Sequence, residues 1–198
     1  MEGLQAQLAA PRAQFLERAP LTREALAFAQ GRHSGQTRDI DEVPFVTHPL
    51  EVACLLHEAG YSDEVVAAGV LHDVLENTDA ERAELDARFG PAVAWLVTAV
   101  SNDPSIEDDS ERKAALRLQV ADAGDRAAAI FAADKISRVR ELCARIDRGD
   151  FREADRSKFD HYEQSLAMLA EIMPGHRLVN QLRLELEELR LPGSPSRA

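Results

Sequence analysis

The sequence predicts an all-α protein, folded as a single-domain helical bundle of about eight to ten helices. Three observations support this prediction. Aromatic residues make up only 5% of the chain, and alanine, leucine, glutamate and arginine dominate it, which favours helices over sheets. Apolar residues recur at helical spacing in most segments. The chain has 198 residues, which is enough to bury one sizeable core.

The charge balance excludes several classes of partner. The formal net charge is −12, so we expect neither a nucleic acid nor an anionic membrane surface as a partner. No apolar run reaches the ~18 residues of a membrane span, and the N-terminus lacks a signal-peptide pattern. Cys54 and Cys143 form no CxxC motif and suit the core of a protein in a reducing compartment. We therefore expect a cytoplasmic protein.

The N-terminal segment predicts two helices followed by a loop. Residues 2–18 are periodic and rich in alanine and arginine, which indicates an outer helix. Thr22 is placed to cap a second helix that ends near His33, where a Ser-Gly pair follows. Residues 35–46 contain glycine, proline and three acidic residues, which is typical of a loop.

The next two predicted helices lie on either side of Gly60. Pro49 suits the first position of a helix, which places His48 at the N-terminus of that helix and its end near Ala59. Ser62 is placed to cap the following helix. That helix is apolar on nearly all sides over residues 65–71, so we expect it to be central.

Two shorter packing helices and an acidic loop are predicted after this pair. Asp79 is placed to cap a helix that ends at Gly90. Pro91 starts the next helix, which reaches Val100. Residues 101–110 are acidic and contain a proline, which indicates a loop.

The C-terminal half predicts further helices around one apolar segment. Gly124 divides a helix that opens at Ser110 from a strongly apolar helix over residues 127–136. Two amphipathic helices, residues 155–173 and 176–191, complete the fold. They are candidates for covering the core or for forming a homodimer interface, and the sequence leaves both open.

These elements suggest a division of the chain into four parts. We expect an N-terminal helix packed on the domain (residues 1–20) and a core (residues 21–146). Two C-terminal helices of the same domain (residues 147–191) and a disordered tail (residues 192–198) follow.

Four residues form a candidate metal site. His72 and Asp73 follow the central apolar run, His48 opens a helix, and Asp134 stands in the middle of the second apolar helix. Burying such groups without partners is costly. Two imidazoles and two carboxylates without a thiolate suit Mn²⁺, with Fe²⁺ and Mg²⁺ as alternatives, better than structural zinc. Four protein ligands on an octahedral ion leave room for water and substrate, as in a catalytic site.

Glu76 gives this site a chemical task. It follows His72 by four residues and Asp73 by three, so on a continuous helix it projects from the same face one turn further on. There it is placed to orient or deprotonate a water at the ion, while the ion polarises a phosphoryl oxygen. Hydrolysis of a phosphate ester or pyrophosphate is the reaction that this arrangement suits.

Each residue also has a structural explanation. His48 can cap its helix, and Asp134 can form an ion pair with Arg138 or Lys135. His33 suits a helix end, and His161 suits a surface or packing position. A helical bundle with no metal site explains each of these residues singly. It does not explain why all four candidate metal ligands occur together.

The motifs around these residues resemble the HD-domain phosphohydrolases, and among them the hydrolase domain of bifunctional alarmone enzymes and the small alarmone hydrolases. In order, the matching motifs are Ala25-Leu-Ala-Phe-Ala, His33-x-Gly35-Gln36-x-Arg38, Pro44-Phe-Val-Thr-His48-Pro49-Leu50, Leu71-His-Asp-Val-Leu-Glu76-x-Thr78, Phe89-Gly90 and Ala133-Asp134-Lys135. The resemblance implies an HD-type fold and an Mn²⁺-type ion held by His48, His72, Asp73 and Asp134. It also implies removal of the 3′-pyrophosphate of ppGpp or pppGpp, the nucleotides of the stringent response.

Three positions depart from the family pattern. Asn77 follows the catalytic glutamate where an aspartate is usual, and an amide cannot act as a base. Arg138 stands where an asparagine is usual, and Asp39 where a lysine is common. These departures leave two alternatives open: a phosphomonoesterase acting on another nucleotide, and a non-catalytic nucleotide-binding regulatory module.

An acidic protein needs a local group of cations to bind a small phosphorylated nucleotide. The candidate substrate-binding residues are Arg32, Arg38, Arg112, Lys113, Lys135 and Arg138. Together with Glu76 and Asn77 as the candidate catalytic pair, they complete the predicted site.

Overall fold

The computed structural model describes residues 14–38 and 43–189, and within these ranges it contains helices and turns but no β-strand. The prediction of an all-α fold is confirmed. After a short 3₁₀ helix the α-helices are, in chain order, α1 (Pro20–Arg32), α2 (Thr47–Glu58), α3 (Asp63–Leu71), α4 (Val74–Asn77), α5 (Arg82–Phe89), α6 (Pro91–Val100), α7 (Asp109–Ala123), α8 (Asp125–Asp147), α9 (Ala154–Ile172) and α10 (Arg177–Glu188).

The predicted first helix falls mostly outside the described residues. Only its C-terminal end is described, and there the chain forms the 3₁₀ helix Gln14–Glu17. The predicted tail, residues 192–198, also lies outside the described ranges.

The described residues divide into two compact units. One comprises residues 14–36 and 44–101, and the other comprises residues 37, 38, 43 and 102–189. In the first unit α3 packs against α1, α2 and α6, and every residue of α3 from Val65 to Leu71 is buried, as expected of a central helix. In the second unit α8 packs against α7, α9 and α10. The predicted boundaries at residues 20, 146 and 191 stay predictions.

Three helix starts in the first unit differ from the sequence prediction. The smallest difference is that α2 begins at Thr47, so Pro49 is not its first residue. Helix α1 begins at Pro20, before Thr22, whose hydroxyl donates instead to the carboxylate of Asp63 at 2.5 Å. The same carboxylate accepts hydrogen bonds from the backbone N–H groups of Leu21 and Thr22. The cap of α1 therefore comes from a residue about forty positions away, which no local pattern reveals.

The third difference concerns Asp79. It was predicted to cap a helix, but α5 begins only at Arg82 and its flanking residue is Glu81. The carboxylate of Asp79 accepts a hydrogen bond from Arg32 at 2.6 Å instead. A long-range ion pair has replaced the local cap.

Other signals in the sequence act as predicted. Pro91 is the first residue of α6, and Gly90 before it has a φ of 85°, a conformation that favours glycine. Cys54 is buried and Cys143 is half-buried, and both are free thiols. Among the helices of the described residues, none is both long and apolar enough to cross a membrane.

The packing of α3 on α2 predicts opposite effects for two glycine-to-alanine substitutions. A Cβ at Gly69 would overlap the buried side chain of Leu56, so Gly69→Ala is expected to destabilise the fold by about 1–3 kcal/mol. A Cβ at Gly31, an exposed residue near the end of α1, meets nothing within 4 Å. Gly31→Ala is therefore expected to stabilise the fold by up to about 1 kcal/mol. Urea unfolding of both variants measures the two effects, and equal effects would contradict this description of the packing.

Candidate metal and nucleotide site

His48, His72 and Asp73 lie close together in the first unit. His48 lies in the first turn of α2, and the other two residues link the end of α3 to the start of α4. Their exposed fractions are 0%, 5% and 7%, respectively. The Nε2 atoms of the two histidines are 3.2 Å apart. Three potential ligands are thus brought together with little exposure to solvent.

The orientation of the His72 ring follows from its hydrogen bond to Gly69. The Nδ1 atom lies 2.8 Å from the backbone carbonyl of Gly69, which can only accept, so Nδ1 donates this hydrogen bond. The Nε2 atom of His72 therefore faces His48 and Asp73, whose Oδ1 is 3.3 Å away. A backbone carbonyl that fixes the far nitrogen of a histidine is the usual support of a metal ligand.

The carboxylate of Asp73 faces both imidazoles. Its Oδ2 atom is 3.6 Å from Nε2 of His48, and its Oδ1 atom is the one near His72. Two nitrogen donors and a carboxylate, all buried, match the donor set of a divalent transition metal ion. These three residues form a candidate metal site.

The catalytic candidates follow on α4. This helix is separate from α3, because the helical hydrogen bonding is interrupted at His72 and Asp73. Glu76 and Asn77 are both exposed. The backbone carbonyl of Asn77 accepts a hydrogen bond from the side-chain amide of Gln36 at 2.9 Å, and Gln36 is bonded in turn to His33 at 2.8 Å. Gln36 thus anchors the end of α4, a role that the sequence motif alone did not indicate.

Asp134 lies in the second unit, in the buried middle of α8. Its Oδ2 atom accepts a hydrogen bond from Lys135 at 2.7 Å, and its Oδ1 atom is 3.5 Å from Nε of Arg138. Both of the pairings considered for Asp134 are therefore present. The Lys135 ammonium also lies 4.4 Å from the centre of the Phe131 ring. This carboxylate is strongly engaged by cations of its own helix.

Arg38 also belongs to the second unit. Its Nε atom donates to the buried carboxylate of Glu141 at 3.2 Å, across 103 positions of sequence. Glu141 did not stand out in the sequence, where its one signal is its position three residues after Arg138. Asp39, one of the departures from the family pattern, lies outside the described residues.

The remaining candidate cations are paired with acidic residues of their own unit. Arg32 forms its ion pair with Asp79 in the first unit. In the second unit Arg112 and Lys113 both bind Asp109, at 2.8 and 2.6 Å. These hydrogen bonds, that of Lys113 foremost, hold the pKa of the Asp109 carboxyl below its usual value. The role of these three cations in substrate binding stays a prediction.

His161 in the second unit is buried, as a packing position requires, with 7% of its surface exposed. Its Nδ1 atom accepts a hydrogen bond from Arg117 at 2.8 Å. Burial, together with the positive charges of Lys135 and Arg117, lowers the pKa of His161 to about 3. The folded protein therefore keeps this imidazole neutral at pH values where the unfolded chain would protonate it.

This pKa predicts an acid-dependent loss of stability. The folded pKa of His161 is below the unfolded value of about 6.5, so its contribution is complete above pH 6.5 and is lost as the pH falls toward about 3. Between pH 7 and pH 5 we expect a loss of about 2 kcal/mol that is absent in His161→Gln. Urea unfolding at both pH values measures it, with His57→Gln as the matched control at an exposed histidine. An equal loss in both variants would contradict the prediction.

Comparison with known proteins identifies the class to which this site belongs. Residues 25–167 match the family described as the HD domain, a segment that includes all four candidate ligands. The chain therefore belongs to the HD-domain family.

Individual relatives refine this assignment. The chain is 42% identical over 125 residues to MESH1 of Drosophila melanogaster, named a guanosine-3′,5′-bis(diphosphate) 3′-pyrophosphohydrolase, covering 60% of this chain and 68% of that protein. It is 35% identical over 167 residues to the protein of the same activity name from Aquifex aeolicus, covering 83% of this chain but only 22% of that protein. The solved structure of a metazoan ortholog of SpoT, described as hydrolysing ppGpp, superposes with a TM-score of 0.74 at 29% identity, covering 83% of this chain and 93% of that one.

Proposed function

We propose that the protein is a metal-dependent phosphohydrolase that removes the 3′-pyrophosphate of ppGpp or pppGpp and releases GDP or GTP. The observation that carries the proposal is the buried group formed by Nε2 of His48, Nε2 of His72 and the carboxylate of Asp73, with the His72 ring held by the Gly69 carbonyl. The names of the similar proteins supply the substrate. Neither a helix cap nor ordinary packing accounts for this arrangement.

The proposed ion is Mn²⁺, with Fe²⁺ and Mg²⁺ as alternatives. His48, His72 and Asp73 would hold it, and Asp134 is proposed as the fourth ligand. Nitrogen and carboxylate donors without a thiolate suit these ions. When bound, such an ion lowers the pKa of a water molecule and polarises a phosphoryl oxygen.

The protein's own residues would perform the remaining steps. Glu76, exposed on α4, is proposed to accept the proton of the attacking water. Lys135 and the other candidate cations are proposed to bind the phosphate groups, whose negative charge the protein's net charge of −12 would otherwise repel. Gln36 would keep α4 in place through the carbonyl of Asn77.

The test is a nucleotide panel with metal-stripped protein. Mn²⁺ is expected to restore the release of pyrophosphate from ppGpp and pppGpp, with orthophosphate measured separately. Nucleoside monophosphates and phosphorylated dinucleotides complete the panel. Failure of Mn²⁺, Fe²⁺ and Mg²⁺ to restore any release of pyrophosphate would overturn the proposal.

A second candidate function is a phosphomonoesterase acting on another nucleotide. Arg138 favours it, because a guanidinium stands 3.5 Å from Asp134 where the family usually has an asparagine. Release of orthophosphate alone in the same panel would select this function.

Asn77 also motivates the alternative of a non-catalytic module that binds the nucleotide. Asn77→Asp is expected to raise turnover if a water-activating pair of carboxylates has been lost. Good turnover in the native protein with no gain in the variant would indicate that Glu76 suffices.

A further inference from the structure

Three charged residues of the second unit form a cluster, and one of them, Glu141, has no part in the proposed mechanism. Glu141 is buried, and its two carboxylate oxygens face two different guanidinium groups. Oε1 accepts a hydrogen bond from Nε of Arg38 at 3.2 Å, and Oε2 lies 3.5 Å from Nη1 of Arg138. We call these residues, Arg38, Arg138 and Glu141, the guanidinium clamp.

The guanidinium clamp is continuous with the proposed ligand Asp134. Residues 134, 138 and 141 follow one another at helical spacing along one face of α8. Arg138 bridges the two carboxylates, with Nε 3.5 Å from Oδ1 of Asp134 and Nη1 facing Glu141. A side chain held at both sides by carboxylates has little freedom to rotate.

The positive charges of Arg38 and Arg138 explain why the buried carboxylate of Glu141 is needed between them. Two guanidinium groups near each other repel, and neither can release its proton. Glu141 offsets that repulsion and leaves the guanidinium clamp with a net charge of +1, since two positive charges face one negative charge. A cationic cluster beside Asp134 suits an anionic ligand such as a nucleotide phosphate.

We propose that Glu141 is a positioning residue: it holds Arg38 and Arg138 as a pair that binds the phosphate-bearing substrate. This inference rests on the proposed function, because it concerns the substrate of the same site. The proposal also gives Arg138 a role, which is to bind the substrate together with Arg38. Glu141 is what holds Arg138 in place for this role.

Two effects of Glu141→Gln on substrate binding have opposite signs, which makes the proposal testable. If Glu141 only added negative charge near an anionic substrate, its neutralisation would lower KM. If it positions the arginines, losing these charge-assisted contacts raises KM. We expect KM for ppGpp to rise about tenfold, with kcat within about twofold and Mn²⁺ affinity unchanged, since Glu141 is not a proposed ligand.

The matched control is Glu185→Gln. Glu185 forms an equivalent ion pair with Arg140 of α8, at 2.6 Å, but it is not part of the guanidinium clamp. This variant is expected to leave KM unchanged. A KM in Glu141→Gln that is unchanged or lowered, or that rises equally in Glu185→Gln, would overturn the proposal.

A double-mutant cycle provides a second measurement. Combining it with Arg138→Gln removes one positive and one negative charge, so the net charge of the cluster stays at +1. If Glu141 acts through Arg138, the effects of Glu141→Gln and Arg138→Gln on KM are non-additive. Additive effects contradict the proposal. Absence of pyrophosphate release by the native protein would instead reject the proposed function, so the two failures are distinguishable.

Discussion

Asp73→Asn is expected to abolish metal-dependent hydrolysis, with a fall in kcat of about 10³-fold or more. The Asp73 carboxylate faces the Nε2 atoms of both His48 and His72, at 3.6 and 3.3 Å. An amide of the same shape lacks the negative charge that offsets a divalent cation. Turnover of ppGpp and the Mn²⁺ content of the purified protein measure the effect, and both are expected to fall together.

The matched control for this substitution is Asp63→Asn. Asp63 is also a hydrogen-bonded carboxylate of the first unit, but its partners are the N–H groups and hydroxyl at the start of α1. This variant is expected to lower Tm while retaining Mn²⁺. Normal turnover and full metal content in Asp73→Asn would remove that residue from the site.

Glu76→Gln is expected to lower kcat by about 10²- to 10⁴-fold, the range for the loss of a general base. Because Glu76 is exposed and is not among the proposed ligands, Mn²⁺ content and Tm are expected to stay unchanged. Steady-state release of pyrophosphate, together with metal analysis, separates this effect from that of Asp73→Asn.

Glu81→Gln is the matched control for Glu76→Gln, since Glu81 is another exposed glutamate of the same segment. It is expected to retain native turnover. Loss of Mn²⁺ from Glu76→Gln would indicate that Glu76 is a metal ligand. A native kcat in Glu76→Gln would indicate that another residue accepts the proton of the attacking water.

Much of the fold could be predicted because its signals are local. Pro91 and Gly90 mark the start of α6 through their backbone conformations, and the continuous apolar run of α3 predicted a central helix. Caps were less predictable. Asp63 caps α1 from a distant part of the chain, while Asp79 binds Arg32 instead of capping α5. A polar side chain can accept hydrogen bonds from any donor that folding brings near it.

For the candidate site, the sequence provided the residue types and the structure provided their relations. His48, His72 and Asp73 were selected as potential ligands from their positions at helix ends, and the structure places these three within contact of one another. The orientation of the His72 ring depends on the Gly69 carbonyl, and no residue type predicts it. The roles of Asp134 and of the candidate cations stay predictions.

By itself, the sequence determined that this protein is helical and that it carries the chemical groups of a metal-dependent hydrolase. Helical periodicity and adjacent ligands are properties of short segments, and these can be recognised without coordinates. Only the tertiary structure decided which carboxylate each arginine binds, and it placed Glu141 between Arg38 and Arg138. The physical reason is that long charged side chains select partners by distance in space, and Arg38 and Glu141 are 103 residues apart in the chain.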